Sequence, residues 1–112
     1  MKYLLVYGSL KRNGFNYNRF SGQNYIKDVL LEGFDMYDLG SYPAVCKGNG
    51  IIKCELHSIE EKSFKQIQNM EKWAGYEELT FPVKGITKEV SVFIMPKENL
   101  VNCKKIECGN WT

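Results

Sequence analysis

The sequence predicts an α+β domain, a small mixed β-barrel of about six or seven strands with one main helix. Three observations carry this. Short runs rich in β-branched and aromatic residues recur along the chain, broken by glycine and proline. Only one stretch, after Ser58, combines a helix start signal with a run long enough to fill a helix. The chain has 112 residues, enough for one domain with a modest core of its own. Closing short strands on one another removes exposed edges, which favours a barrel.

The first strand spans Lys2 to Tyr7. Lys11 to Gln23 is polar and rich in Asn and Gly, so it forms a loop with room for one helical turn. "YIKDVLLEGFDMYDLG" holds two strand pieces, near Tyr25–Leu31 and Phe34–Leu39. "GSYPAVCKGNG" reads as a loop held by Pro43 and by Gly40, Gly48 and Gly50, and Gly50–His57 as a further strand. Ser58-Ile59-Glu60-Glu61 fits a capping box, with Ser58 as N-cap and Glu61 at the third helical position. The helix runs to about Trp73, with Gly75 as its stop. Glu78–Val83 and Lys88–Met95 are strands turning near Gly85. In the second, Val90, Val92 and Ile94 share one face, and Ser91, Phe93 and Met95 the other. The tail from Asn102 is short and irregular.

Composition narrows the function. The 15 basic and 13 acidic residues are interspersed, for a net charge of +2, which speaks against a dedicated nucleic-acid binder. Lys11, Arg12 and Arg19, and separately Lys104 and Lys105, read as a solvated rim. No apolar run nears the ~20 residues of a membrane span, and the opening "MKYLLVYG" is too short for a signal peptide. The expectation is a cytoplasmic protein with no membrane partner. The four cysteines form no C-x-x-C pair, and His57 alone does not complete a metal site. No metal and no cofactor are expected, and the thiols read as reduced, partly buried small hydrophobes. Nothing demands more than a monomer.

One residue does not fit its helix. Phe64, Ile67 and Ala74 set the apolar stripe, and Glu71 lies in the middle of it. If held there, its carboxylate loses hydration and its pKa rises toward neutrality, where it can pass protons back and forth. The alternative is a side chain that snorkels out near the helix end or pairs with a lysine. Glu60 shares the stripe, but in the first turn, where the helix dipole favours a carboxylate. At "VYGSL", Gly8 directly after the strand leaves the backbone bare. Consecutive N–H groups in such a turn suit an anion, although a plain strand exit reads the same way.

"VYGSL" at the start, "LGSYPAV", "IQNMEKWAGY" and a terminal "CGNW" occur in that order. Together they resemble the gamma-glutamylcyclotransferase-like family, nearest its gamma-glutamylamine cyclotransferase branch, over nearly the whole chain from Tyr3 to Trp111. The resemblance implies that Tyr7, Gly8, Ser9 and Leu10 form the substrate-binding loop and that Glu71 is the catalytic glutamate. Asn16 matches a polar residue that follows the loop, Tyr42 and Pro43 the family's "YP", Tyr76 the tyrosine after the glutamate, and Trp111 a C-terminal tryptophan. Tyr7, Tyr42 and Tyr76 are thereby assigned to substrate binding, with plain aromatic packing the alternative for Tyr7 and Tyr76. Three positions depart from the pattern. Ile67-Gln68 replaces the usual Leu-Asp, Lys72 the usual glycine, and Glu78 an arginine. The lost Asp and Arg are the ones that would help order the helix end.

The activity implied is cyclisation of a small gamma-glutamyl amine or amide to 5-oxoproline. The α-amino group attacks the side-chain carbonyl and the amine leaves. The amine side of the pocket is expected from the loops Lys11–Gln23 and Pro96–Gly109. Two rival readings stand beside it: a non-catalytic small-ligand-binding module on the same scaffold, and an adaptor whose Trp73 and Trp111 share an exposed patch.

Overall fold

The computed structural model describes residues 1–112. Six strands and one helix follow in the order β1 (Lys2–Val6), β2 (Asn24–Asp38), β3 (Pro43–Ile59), α1 (Glu61–Trp73), β4 (Glu77–Phe81), β5 (Val90–Ile94) and β6 (Lys104–Lys105). They form one mixed sheet in the order β4-β5-β1-β3-β2-β6, in which only β1 and β5 run parallel. The sheet curls into a half-barrel. The backbone N–H of Met95, just past β5, donates to the carbonyl of Val45 near the start of β3 at 2.8 Å. That bond draws the two strands together across the curl.

The β2–β3 hairpin is longer than the sequence suggests. The two expected pieces, Tyr25–Leu31 and Phe34–Leu39, are one strand, which runs on through the register shift between Glu32 and Phe34: there Gly33, at φ 88°, stands opposite three residues of β3, Gly48, Asn49 and Gly50, and the bulge is on β3. The expected loop from Pro43 to Gly50 is also strand, continuous with the expected Gly50–His57. Pro43 stands at its first residue, where a missing N–H costs no ladder bond. Gly48 and Gly50 are bare for a steric reason: a Cβ on either would run into the carboxylate of Asp35 on the neighbouring strand.

The helix starts later than the capping box implies. Ser58 pairs with Tyr3 and Asn24 in the sheet, so ladder bonding wins over capping. Glu60 takes the N-cap position, and its side chain makes no capping bond. It accepts a hydrogen bond from Ser21 Oγ at 3.0 Å instead.

β1 separates two apolar cores by alternation. Leu4 and Val6 pack with Ile59, Phe64, Ile67, Phe93 and Met95 beneath the helix. Leu5 and Tyr7 pack with Met36, Ile52, Leu56, Val90 and Val92 inside the half-barrel. β5 alternates in the same sense, as its pattern predicts, so both central strands are covered on both faces. The tail returns over the hairpin: Lys53 N–H donates to the Gly109 carbonyl at 2.7 Å.

Lys11 does not lie on a solvated rim. It is buried, and its ammonium donates to Asn110 Oδ1 at 3.0 Å and to the Trp111 carbonyl at 2.7 Å. Arg12 is paired with Asp28 and Glu55, and Lys105 with Asp35 and Glu107, so these cations answer local carboxylates. No helix is long and apolar enough to cross a membrane.

Candidate active site

A cavity of about 340 Å³ opens between the loop after β1, the start of β3 and the last turn of α1. All seven residues singled out in the sequence line it: Tyr7, Gly8, Ser9, Leu10, Tyr42, Glu71 and Tyr76. Asn16 lines it too. Of the two loops expected to build the amine side, Lys11–Gln23 reaches the cavity through Phe15 and Asn16, whereas Pro96–Gly109 contributes nothing; Met70 and Trp73 of α1 line it as well.

The helix end places Glu71 and Tyr76 by backbone chemistry. Gly75 adopts φ 97°, which a side chain would resist. With it in place, Gly75 N–H donates to the Lys72 carbonyl at 3.1 Å and Tyr76 N–H to the Glu71 carbonyl at 2.9 Å. These are the two bonds of a Schellman motif. Glu71 is half-buried at the cavity wall and joins none of the ion pairs. The lysine-paired alternative is thereby set aside. Burial pushes its carboxyl up to about 7.

Two of the three departures, Gln68 and Glu78, face each other. Gln68 Nε2 donates to Glu78 Oε1 at 2.7 Å, and Ser91 Oγ to Glu78 Oε2 at 2.6 Å. A hydrogen-bonded bridge through Glu78 therefore ties the middle of α1 to β4 and β5, one turn before Glu71.

The loop after β1 is held open. Lys11 N–H donates to the Gly8 carbonyl at 3.1 Å, closing a tight turn. Asn16 grips Ser9 twice, through its own N–H to the Ser9 carbonyl at 2.9 Å and through Nδ2 to Ser9 Oγ at 3.0 Å. Among the loop hydrogen bonds, none starts from the N–H of Gly8, Ser9 or Leu10. These three donors are free for an anion or a developing oxyanion. Gly8 is bare for a second reason that the sequence did not reveal: a Cβ there would come 2.8 Å from Pro43 Cγ.

Behind the loop lies a polar bracket that sequence reasoning missed. Gln23 Nε2 donates to the Leu10 carbonyl at 2.9 Å and lies 3.0 Å from His57 Nδ1. With that contact assigned as a donation to Nδ1, the His57 proton sits on Nε2 and is given to Glu55 Oε1 at 3.0 Å. Glu55 Oε1 also accepts the Arg12 N–H at 2.9 Å. Burial pulls His57 below its usual range, against the opposing pull of Glu55. Burial pushes Glu55 up, but the Arg12 N–H and the His57 bond outweigh it and leave the carboxyl low. No periodicity marks His57 or Gln23 as partners; only the fold brings them together.

The two tyrosines on the cavity wall spend their protons on the backbone. Tyr7 Oη donates to the Phe93 carbonyl at 2.6 Å, and Tyr76 Oη to the Pro43 carbonyl at 2.8 Å. Burial first, and the charge of Glu71 further, hold both phenols well above the usual range. Each oxygen keeps its lone pairs as acceptors. Trp111 is partly buried in the half-barrel core and shares no exposed patch with Trp73, which removes the ground for the adaptor reading.

The sequence profile of the family described as gamma-glutamyl cyclotransferase, AIG2-like, matches residues 4–112. The Escherichia coli K12 gamma-glutamylcyclotransferase family protein YtfP is 25% identical over 109 residues, covering 96% of this chain and 94% of its own. The crystal structure of protein PH0828 from Pyrococcus horikoshii superposes with a TM-score of 0.80 at 21% identity, covering 98% of this chain and 89% of its own. That of an AIG2-like protein from Mus musculus gives 0.77 at 18% identity, covering 96% and 86%.

Proposed function

The chain belongs to the gamma-glutamyl cyclotransferase, AIG2-like family, and from that premise we propose that it cyclises a gamma-glutamyl amine or amide to 5-oxoproline, with Glu71 as general acid and base. The observation that carries this is a single carboxylate, unpaired and pushed up to about 7, on the wall of a cavity also lined by a loop whose Gly8, Ser9 and Leu10 N–H groups have no backbone partner.

The substrate's α-carboxylate or its reacting carbonyl oxygen takes the N–H groups of Gly8 to Leu10. Its α-ammonium faces the acceptor oxygens of Tyr7 and Tyr76 and the carboxylate of Glu71. Glu71 removes one proton, and the freed amine attacks the γ-carbonyl. A new C–N bond closes the five-membered ring. The tetrahedral intermediate collapses with cleavage of the original amide C–N bond. The ring nitrogen loses a second proton, and the amine leaves with both protons as an ammonium. No water is consumed, and one group with a pKa near neutrality can carry both protons in turn. Because attack is intramolecular, much of the protein's contribution is to hold the glutamyl chain folded.

A turnover assay tests the reading. Purified protein is mixed with gamma-glutamyl amines, gamma-glutamyl amino acids and glutathione, 5-oxoproline is followed by mass spectrometry, and Glu71→Gln runs in parallel. Product from the wild type and none from a folded Glu71→Gln supports it. A folded wild type that turns over no member of the panel overturns it in favour of a non-catalytic ligand-binding module.

A further inference from the structure

Among the seven tyrosines, six phenylalanines and two tryptophans, only three rings are exposed: Phe15 at 77%, Tyr42 at 42% and Trp73 at 91%. All three line the one cavity that holds Glu71. They come from three separate segments: the loop after β1, the β2–β3 connection and the end of α1. Scattered exposed aromatics need no account, but three convergent ones at a cavity mouth do.

The charge of the cavity is equally selective. Of its seventeen lining residues twelve are hydrophobic, and Glu71 is the only charged one. The loop N–H groups can take one anion, and the glutamyl α-carboxylate has first claim on them. A leaving group with its own carboxylate, as in a dipeptide or an amino acid, would meet no cation here and would lose hydration without compensation.

Resting on the cyclotransferase reading of the site, we propose that Phe15, Tyr42 and Trp73 receive the departing amine, and that the preferred substrate is a gamma-glutamyl amide of an arylalkyl amine carrying no carboxylate. The rim contributes twice. It takes the aryl group out of water, and it offers ring faces to the ammonium that forms as the amide C–N bond breaks.

The experiment compares kcat/KM for gamma-glutamyl phenethylamide, gamma-glutamyl ethylamide, Nε-(gamma-glutamyl)lysine and glutathione. Calorimetric binding of the same four compounds to Glu71→Gln runs in parallel. The phenethylamide is expected to exceed the lysine compound and glutathione by roughly tenfold or more. Trp73→Ala and Phe15→Ala are expected to reduce the ratio of phenethylamide to ethylamide. Trp73 is so exposed that its removal leaves the fold intact, which a thermal melt verifies. Equal or better turnover of the lysine compound or glutathione overturns the aromatic preference while the cyclotransferase reading stands. Absent turnover with tighter phenethylamide binding that depends on Trp73 upholds the rim and overturns the catalysis. Neither turnover nor selective binding overturns both.

Discussion

The backbone N–H of Tyr76 donates to the carbonyl of Glu71 at 2.9 Å, so one helix-capping bond fixes the spacing of two residues on the cavity wall. The side chain of Tyr76 then reaches across to the Pro43 carbonyl, and Pro43 packs against Gly8. A single chain of contacts runs from the Glu71 backbone to the loop after β1.

The first expectation concerns pH. The Glu71 carboxyl lies near 7 in the folded protein and in the ordinary carboxylate range when unfolded. Between those values the folded state holds a proton that the unfolded state has lost. Stability is therefore greatest below about pH 4.5 as far as this group is concerned, and falls as pH rises from there through 7, by about 3 kcal/mol in all. Urea denaturation from pH 5 to 8 reads this directly. In Glu71→Gln that component of the slope should vanish. Turnover should run the other way, rising as Glu71 ionises, and Glu71→Gln should lose about 10²–10⁴-fold.

The turn that carries Glu71 was legible in the sequence because Gly75 reads as a helix stop and Glu71 falls on the apolar stripe; the role proposed for Glu71 came from the family resemblance, since the stripe alone left a snorkelling or lysine-paired side chain open. The long hairpin was not legible. Gly33, Gly48 and Gly50 look like breaks, yet all three sit at one bulge of a continuous hairpin, and Gly48 and Gly50 make room there for Asp35, a partner that only pairing reveals. Ser58 failed as a cap because local propensity lost to two sheet neighbours. Lys11 looked solvated because its acceptors lie about a hundred residues away at Asn110 and Trp111.

Gly8→Ala should be costly although Gly8 is a loop residue. Its Cβ would overlap Pro43 Cγ and Cδ, a rigid ring at the start of β3. Relief requires the loop or Pro43 to shift, at about 1–3 kcal/mol. The shift moves the free N–H groups, so KM for a gamma-glutamyl substrate should rise. A melt and a Michaelis–Menten series on Gly8→Ala check both; unchanged values would show that the loop yields freely.

Gln68 and Glu78 should behave as one unit. Gln68→Ala and Glu78→Ala each break the bond at 2.7 Å, and the double variant breaks it only once. A double-mutant cycle should return a coupling of about 1 kcal/mol. Because the bridge holds the turn before Glu71, both single variants should also lower kcat. Gln68→Asp with Glu78→Arg restores the family's usual residue types at these two positions, and it should recover stability better than either change alone.

Lys11 should prove structural rather than electrostatic. Its buried ammonium is satisfied by Asn110 Oδ1 and the Trp111 carbonyl, and this stitches the tail to the loop after β1. Lys11→Met keeps most of the apolar stem but leaves the two tail oxygens without their donor, which should cost about 1–3 kcal/mol. Hydrogen exchange should show the loss locally. The Lys53 N–H, bonded to the Gly109 carbonyl, should exchange faster once the tail loosens, while the β1–β3 ladder keeps its protection. Uniform loss of protection across both would mean that Lys11 supports the whole fold rather than the tail.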